Sequence, residues 1–378
     1  MNNDKTHGCK QAAGAFHPVI NLKRCEGKGD CLAVCPENVF EIRRIDEPVI
    51  RCYADGHDAM VEYRTAEELL EPCGPGSMFS IPRAAIQLHG IPVTGEPLEQ
   101  TLAALGGGIE IRCQVRLPIG SGLGTSSIMA ATVIRALALM SGHELENHAL
   151  SAAVMQLEQR MTTGGGWQDQ AGGIFPGAKL LITGPGLRQR IRVQPVLWSD
   201  QRQAEFSERM VLYNTGIQRM AKGLLRQVVS RYLARETATI QVLHSIKTLA
   251  VEMSYAMVEG EWNHLGGLLD RHWQLNQVLD PHTTNAPINA ILDRARPWLA
   301  GAKLAGAGGG GFLMLLAHDP EAAAAMRAAI AQDTPERGAF VAYRLAPDGL
   351  RVTTGANSRR EPLDSELAGN STFLATAG

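Results

Sequence analysis

The chain of 378 residues carries 36 Lys and Arg against 38 Asp and Glu, a formal net charge of −2. Such a length holds about two domains with real cores, and such a balance excludes the broadly basic surface that nucleic acid or an anionic membrane selects. No apolar run reaches the roughly 18 residues that cross a bilayer. Residues 1–10 lack the apolar centre of a signal peptide, so a cytoplasmic protein is expected, with its 7 cysteines as thiols or metal ligands rather than disulfides.

Residues 1–16 are polar and rich in Gly and Ala, the composition of a disordered segment, and a Cys-rich insert occupies about 17–44. From Val39 to Tyr63 short β-type runs (VFEIRRI, PVIRCYA, AMVEYRT) alternate with polar residues, which predicts a meander of strands. Helices are predicted over Ala66–Leu70, Phe79–Leu88 and Leu98–Leu105. A strand over Ile109–Leu117 then feeds a glycine loop and a helix over Ile128–Met140. The next helix, Leu150–Met161, enters a loop over Thr162–Gln170, and strands follow at Ala178–Thr183, Arg190–Pro195 and Arg209–Asn214. The second half is mostly helical, at Ala221–Glu236, Thr239–Glu259, Trp262–Leu279 and Ile288–Ala300. Strands at Ala302–Leu304 and Gly311–Ala317 flank the run Gly306–Gly311. A helix over Pro320–Gln332, a strand over Ala339–Leu345 and a loose polar tail from Thr354 complete the chain.

The segment Leu117-Pro118-Ile119-Gly120-Ser121-Gly122-Leu123-Gly124-Thr125-Ser126-Ser127 carries the most chemistry. A strand, a glycine loop and a helix start form an anion cradle: glycines let backbone N–H groups reach phosphate oxygens, and the helix N-terminus adds unpaired donors. The segment lacks the Gly-Lys-Ser/Thr ending of a P-loop and the spacing of the dinucleotide fingerprint. Taken alone it is equally a flexible turn before an N-capped helix. Further on, Thr162 to Gly173 places one carboxylate, Asp169, among Gly164, Gly165, Gly166, Gly172 and Gly173, beside Trp167. There it is either a turn-forming Asp or a general base with open access to a substrate hydroxyl. Glu158, near the end of the helix entering that loop, is either a solvated helix residue or, with the Ser126 hydroxyl, a magnesium ligand.

Taken together, these segments resemble the three motifs of the GHMP kinases. Pro118 to Ser126 is similar to that family's Pro, three residues, Gly-Leu-Gly-Ser-Ser, with Thr125 in the first Ser place; Lys303 to Phe312 resembles its glycine-rich turn before a strand. Within the family the likeness is greatest to the L-fucose kinases, including the kinase half of bifunctional fucokinase/GDP-fucose pyrophosphorylases. It is carried also by Gly106-Gly107-Gly108-Ile109-Glu110-Ile111, Thr162 to Gln170, Tyr213-Asn214-Thr215-Gly216 and Leu279-Asp280-Pro281-His282-Thr283-Thr284-Asn285. Kinases of heptose 7-phosphate share the fold and are the alternative.

The resemblance implies an α/β chain of two-layer α+β units: an incomplete ribosomal-S5-like ATP-binding domain over 39–200 and a ferredoxin-like α+β domain over 201–354. Residues 1–38 would precede them and 355–378 form a tail. It implies ATP-dependent phosphorylation of a sugar at its anomeric hydroxyl, with the sugar and ATP as partners and no nucleic acid or membrane. Asp169 would be the catalytic carboxylate. Pro118, Gly120, Ser121, Gly122, Leu123, Gly124, Thr125, Ser126 and Ser127 would hold ATP, and Ser126 with Glu158 would hold magnesium. Gly164, Gly165, Gly166, Trp167, Gly308, Gly309 and Gly310 would line the sugar side.

One family element is missing from the sequence: an early strand and loop with an Arg, a Gly-rich turn and an Asp that binds the sugar. In its place, Cys25-Glu26-Gly27-Lys28-Gly29-Asp30-Cys31-Leu32-Ala33-Val34-Cys35-Pro36 resembles a bacterial ferredoxin half-motif. Lys28 holds a Cys place, so three thiolates remain and no iron–sulfur cluster is expected. The segment is then a ferredoxin-derived remnant, or a fusion or gene-model error. A working cluster would instead make the chain an electron-transfer protein. Without the first motif, slow turnover of fucose or a non-catalytic nucleotide-binding remnant is expected.

Overall fold

Ile42, Ile50, Cys52, Ile109 and Ile111 alternate with polar residues along three strands, and all five are fully buried. A period of two puts them on one face of a sheet, which is where the first core forms. The computed structural model describes residues 16–17, 39–54, 59–71, 77–114, 121–161, 166–186, 189–217, 222–332, 338–343, 345 and 348–354.

In chain order the first elements are β1 (Phe16–His17), β2 (Val39–Ile45), β3 (Ile50–Ala54), β4 (Ala59–Tyr63), α1 (Ala66–Leu70), α2 (Ser80–Leu88), α3 (Leu98–Ala104) and β5 (Gly108–Gln114). Then come α4 (Thr125–Met140), α5 (Asn147–Arg160), α6 (Gln168–Ile174), β6 (Lys179–Thr183) and β7 (Ile191–Pro195). The second half has α7 (Asp200–Arg209), β8 (Met210–Asn214), α8 (Lys222–Leu233), α9 (Thr237–Glu259), α10 (Trp262–Leu279) and α11 (Ala286–Ala295). It closes with β9 (Leu299–Leu304), β10 (Phe312–Ala317), α12 (Pro320–Ala331), β11 (Ala339–Val341) and β12 (Thr353–Thr354).

The first sheet has six strands in the order β12-β1-β2-β5-β3-β4. The predicted meander over 39–63 holds for the β3–β4 hairpin but not for β2, because β5 inserts between β2 and β3 and runs parallel to β3. Alternation marks a strand but not its partner, and the parallel pairing spans a crossover through α1 to α3. Phe16 pairs with Ile42 and with Thr354, so residues near both ends of the described chain share one sheet edge.

The second sheet is antiparallel, in the order β11-β8-β10-β9. In chain order that is fourth, first, third, second, with helices between β8 and β9 and α12 between β10 and β11; this is the ferredoxin-like topology the resemblance implied. The edge strand β9 is not left bare. Helix α10 lies against it, and the Asp270 carboxylate accepts the Ala302 N–H at 2.7 Å, using up an edge donor. The approach is backbone to backbone: a Cβ on Gly301 would fall 1.8 Å from the Gly266 carbonyl oxygen. Gly301→Ala should therefore force helix and strand apart and cost about 1–3 kcal/mol or more, read as a lower urea midpoint. An unchanged midpoint would mean that this seam yields freely.

Helix α4 runs through the first core, with Ala130, Ala131, Val133, Ile134, Ala136 and Leu137 all buried. Its two ends are treated differently. At the C-terminus, Arg44 reaches from β2 to donate to the Met140 carbonyl at 2.9 Å, and Gly106 leaves the space its guanidinium fills. At the N-terminus the cap is Gly124, which offers no side-chain acceptor. The helix thus keeps its positive end undischarged where an anion can meet it. No helix among the described residues is long and apolar enough to cross a membrane.

Candidate active site

Pro118 and Gly120 lie outside the described residues, as do Gly164 and Gly165. From Ser121 on, the glycine loop is ordered by its own hydroxyls: Ser121 is buried, and its Oγ pairs with Thr125 Oγ1 at 3.1 Å. Gly122 and Gly124 both have left-handed backbone, φ +76° and +71°. Each also stands where a side chain has no room. A Cβ on Gly122 would meet the Ala305 carbonyl oxygen at 2.7 Å, and one on Gly124 would meet Asp169 Cβ at 3.2 Å. Between them Leu123 packs against the cluster Leu212, Ala305 and Phe312 from the second sheet. The loop is thereby pinned to the turn before β10, where a Cβ on Gly306 would in turn fall 3.0 Å from Gly122 Cα.

Asp169 lies in the first turn of α6, not in the loop predicted over Thr162–Gln170. Gly172 and Gly173 are poor helix formers, but packing outweighs propensity here: a Cβ on Gly173 would fall 2.3 Å from Ile128 Cγ1, so α6 can lie tight on α4. Asp169 is exposed to solvent on one side, while desolvation by the protein on its other side pushes its carboxyl up from 3.8, opposed by a hydrogen bond from Gln168. Glu158 is half-buried, and desolvation pushes it up from 4.5. Hydrogen bonds from Ser127 and Gln170 oppose that, and the Asp169 charge adds to it.

Ser127 Oγ donates to Glu158 Oε1 at 2.5 Å, while Ser126, one residue earlier, is exposed. Gln170 Nε2 donates to Glu158 Oε2 at 2.7 Å and to the Gly166 carbonyl at 3.0 Å. Sequence reasoning passed over Gln170. The signal was its place on a helical stripe with Ala171 and Ile174, all three buried, where a polar residue stands out. Trp167 is half-buried at the N-cap position of α6.

The third glycine run is bracketed by two other flagged segments. Gly309 N–H donates to the Thr283 carbonyl at 2.5 Å and its own carbonyl accepts from Asn285 Nδ2 at 3.2 Å. Gly311 N–H donates to the Ile217 carbonyl, and its carbonyl accepts both the N–H and the Oγ1 of Thr215 at 2.9 Å. Cβ atoms on Gly308 and Gly310 would strike the Thr283 and Ile217 carbonyl oxygens at 2.8 and 2.3 Å. Asp280 holds the turn to which Thr283 belongs, accepting the His282 N–H at 2.9 Å. A cavity of about 580 Å³ elsewhere, lined by Arg209, Trp262, His264 and His318 among others, contains none of these residues.

The groups shown around Glu158 supply oxygen: its own carboxylate, the Asp169 carboxylate whose charge it feels, and the Ser127 hydroxyl. Among the described residues no three His, Cys, Asp or Glu side chains group as a self-sufficient metal cage. That set suits magnesium, which takes one or two carboxylates and completes its shell with water and phosphate oxygens. Cys25, Cys31 and Cys35, on which the iron–sulfur expectation turns, lie outside the described residues.

The raised carboxyls carry a pH signature. A group that binds its proton more tightly when folded stabilises the fold below its ordinary value and loses that contribution as pH rises through the folded value. Without metal, stability should fall as pH climbs from 3.8–4.5 upward, through both raised carboxyls. Glu158→Gln, measured in chelator, should flatten that decline; parallel declines in both chains would contradict it.

Two family models match the chain: "GHMP kinases N terminal domain" over residues 93–177 and "GHMP kinases C terminal" over 253–336. It is 37% identical over 301 residues to an L-fucokinase/L-fucose-1-P guanylyltransferase of Bacteroides fragilis, covering 78% of this chain and 32% of that one. A bifunctional fucokinase/GDP-fucose pyrophosphorylase of Arabidopsis thaliana is 40% identical over 220 residues, 58% of this chain and 21% of that one. The chain therefore spans a third or less of these relatives. A D-glycero-alpha-D-manno-heptose 7-phosphate kinase of Campylobacter jejuni is 27% identical over 199 residues, 52% of this chain and 58% of that one. Among solved structures, a D-glycero-D-manno-heptose 1-phosphate kinase from Bacteroides thetaiotaomicron shares the fold at TM-score 0.61 and 17% identity, covering 90% of this chain and 98% of that one.

Proposed function

Because the chain belongs to the GHMP kinases, with the N-terminal and C-terminal domains of that family in order, we propose that it transfers phosphate from ATP to the anomeric hydroxyl of L-fucose or a related sugar. One observation carries the reading. Gly124, at the uncapped positive end of α4, lies directly against Asp169, so a phosphate cradle and a carboxylate share one small space. Residues 39–200 would form the nucleotide-binding domain and 201–354 the second.

In this reading the backbone of Gly120, Gly122 and Gly124, with Ser121, Thr125 and Ser127, receives the phosphates at the start of α4. Asp169 accepts the proton of the sugar hydroxyl as its oxygen attacks, a role that a carboxyl raised toward neutrality serves better than a fully stabilised one. Glu158 and Ser126 would hold magnesium, which when bound neutralises charge on the phosphates. Trp167 would pack on the sugar face, and Gly308, Gly309 and Gly310 would close the site from the second sheet. Excluding water there strengthens every dipole aimed at the transferring group.

A second reading, heptose 7-phosphate as acceptor, is favoured by the relative of that name, which matches over half of this chain. The experiment is ADP release from magnesium ATP with L-fucose, with heptose 7-phosphate and with no sugar. The proposal expects the fucose arm to exceed both others. Equal release in all three arms would leave a nucleotide-binding protein without a sugar site, and a heptose-dominated result would move the assignment to the second reading.

A further inference from the structure

Gln170 is 1% exposed, as buried as the core around it, although its neighbour Asp169 opens onto the cleft. Both amide hydrogens are used, one on Glu158 Oε2 and one on the Gly166 carbonyl. Its Oε1 is buried and has no hydrogen-bond partner. Turning the amide over would bring Oε1 against a carboxylate and a carbonyl, both acceptors, so this orientation is the one the surroundings allow. A Leu or Met would fill the same volume without stranding a polar atom. Packing alone does not account for an amide at this position.

We propose that Gln170 is a positioning residue of the kinase site, fixing the Glu158 carboxylate in the orientation from which it receives magnesium. The inference rests on Glu158 being a magnesium ligand, as proposed above. The carboxylate is held from two sides: Ser127 of α4 on Oε1 and Gln170 of α6 on Oε2. One such bond would leave it free to swing, whereas two from separate helices fix its plane. Both donors are neutral, which matters because a Lys or Arg in either place would satisfy the carboxylate and compete with the metal. The second bond of Gln170, to the Gly166 carbonyl, anchors the entry to α6, the helix that carries Asp169. One side chain thereby registers the metal side of the site against its base.

The test measures binding rather than turnover. ADP affinity is determined by calorimetry across a magnesium series for the full chain, Gln170→Met, Glu158→Gln and the double variant, with the thermal midpoint of each recorded in chelator. Met keeps the length and volume of Gln and removes both donors. Gln170→Met should raise the magnesium needed for half-maximal ADP affinity by about tenfold, the scale on which groups behind a metal ligand act. In the Glu158→Gln background the same replacement should add nothing, because its effect passes through that carboxylate. Gln170→Leu provides the same readout should the Met chain fold poorly. A folded variant with an unchanged magnesium requirement would overturn the inference, as would a shift that persists undiminished without the Glu158 charge. If Glu158→Gln itself leaves the magnesium requirement unchanged, the metal role of Glu158 fails and this inference with it. A shift from Glu158→Gln but none from Gln170→Met would sink the inference alone.

Discussion

Replacing Asp169 by Asn should lower turnover about a hundredfold or more while nucleotide affinity stays near that of the parent chain. The substitution is nearly isosteric. It keeps the Cβ that rests against the vacancy of Gly124, and it keeps an oxygen to accept from Gln168. In the proposed reaction, what it removes is the group that takes the proton of the sugar hydroxyl. The proposed phosphate cradle is the segment from Ser121 to Ser127 with the start of α4, none of which Asn alters, so binding and chemistry should separate cleanly. ADP release under saturating sugar and calorimetric titration with magnesium ATP measure the two. Near-normal turnover in the variant would remove Asp169 from the reaction, and a parallel loss of binding would point to a collapsed cleft instead.

Gly124→Val should have the opposite division, with nucleotide affinity falling by roughly one to two orders of magnitude and turnover falling with it. Two costs add at this position. A left-handed backbone at φ +71° strains any L side chain by about 1–2 kcal/mol, and β-branching makes it worse. The new Cβ would also stand 3.2 Å from Asp169 Cβ, with two methyls beyond it. Asp169 must then move or the helix start must. Gly124→Ala supplies the graded control, with the backbone strain and the tight contact but without the methyls. Unchanged ATP affinity in the Val chain, by calorimetry with magnesium, would rule out the loop as the phosphate cradle.

The strand, glycine loop and α4 were legible in the sequence because each is a local pattern: apolar alternation, then residues that tolerate positive φ, then a helical run. The ferredoxin-like second sheet followed from the likeness of Lys303–Phe312 and its neighbours to a known family, not from periodicity. Partner choice was not legible. Nothing in Gly108–Gln114 says that it slips between β2 and β3, because its alternation marks a strand without naming its partners. The helix at Asp169 was missed because Gly172 and Gly173 argue against it locally, and only the proximity of Ile128 reverses the balance. The two bonds that orient Glu158 span 31 and 12 residues, and no spacing rule connects such pairs.

The contact between Gly122 and Gly306 has a consequence for how sequences of this fold can drift. There is no spare volume between the two loops: a Cβ on Gly122 would meet the Ala305 carbonyl oxygen at 2.7 Å, and one on Gly306 would meet Gly122 Cα at 3.0 Å. Neither site can be relaxed by changing the other, since each already has the smallest residue available. The pair therefore behaves as a single steric character shared by two distant codons. In the proposed kinase, a change of acceptor would therefore have to come from residues other than this pair, leaving the seam between the loops as it stands.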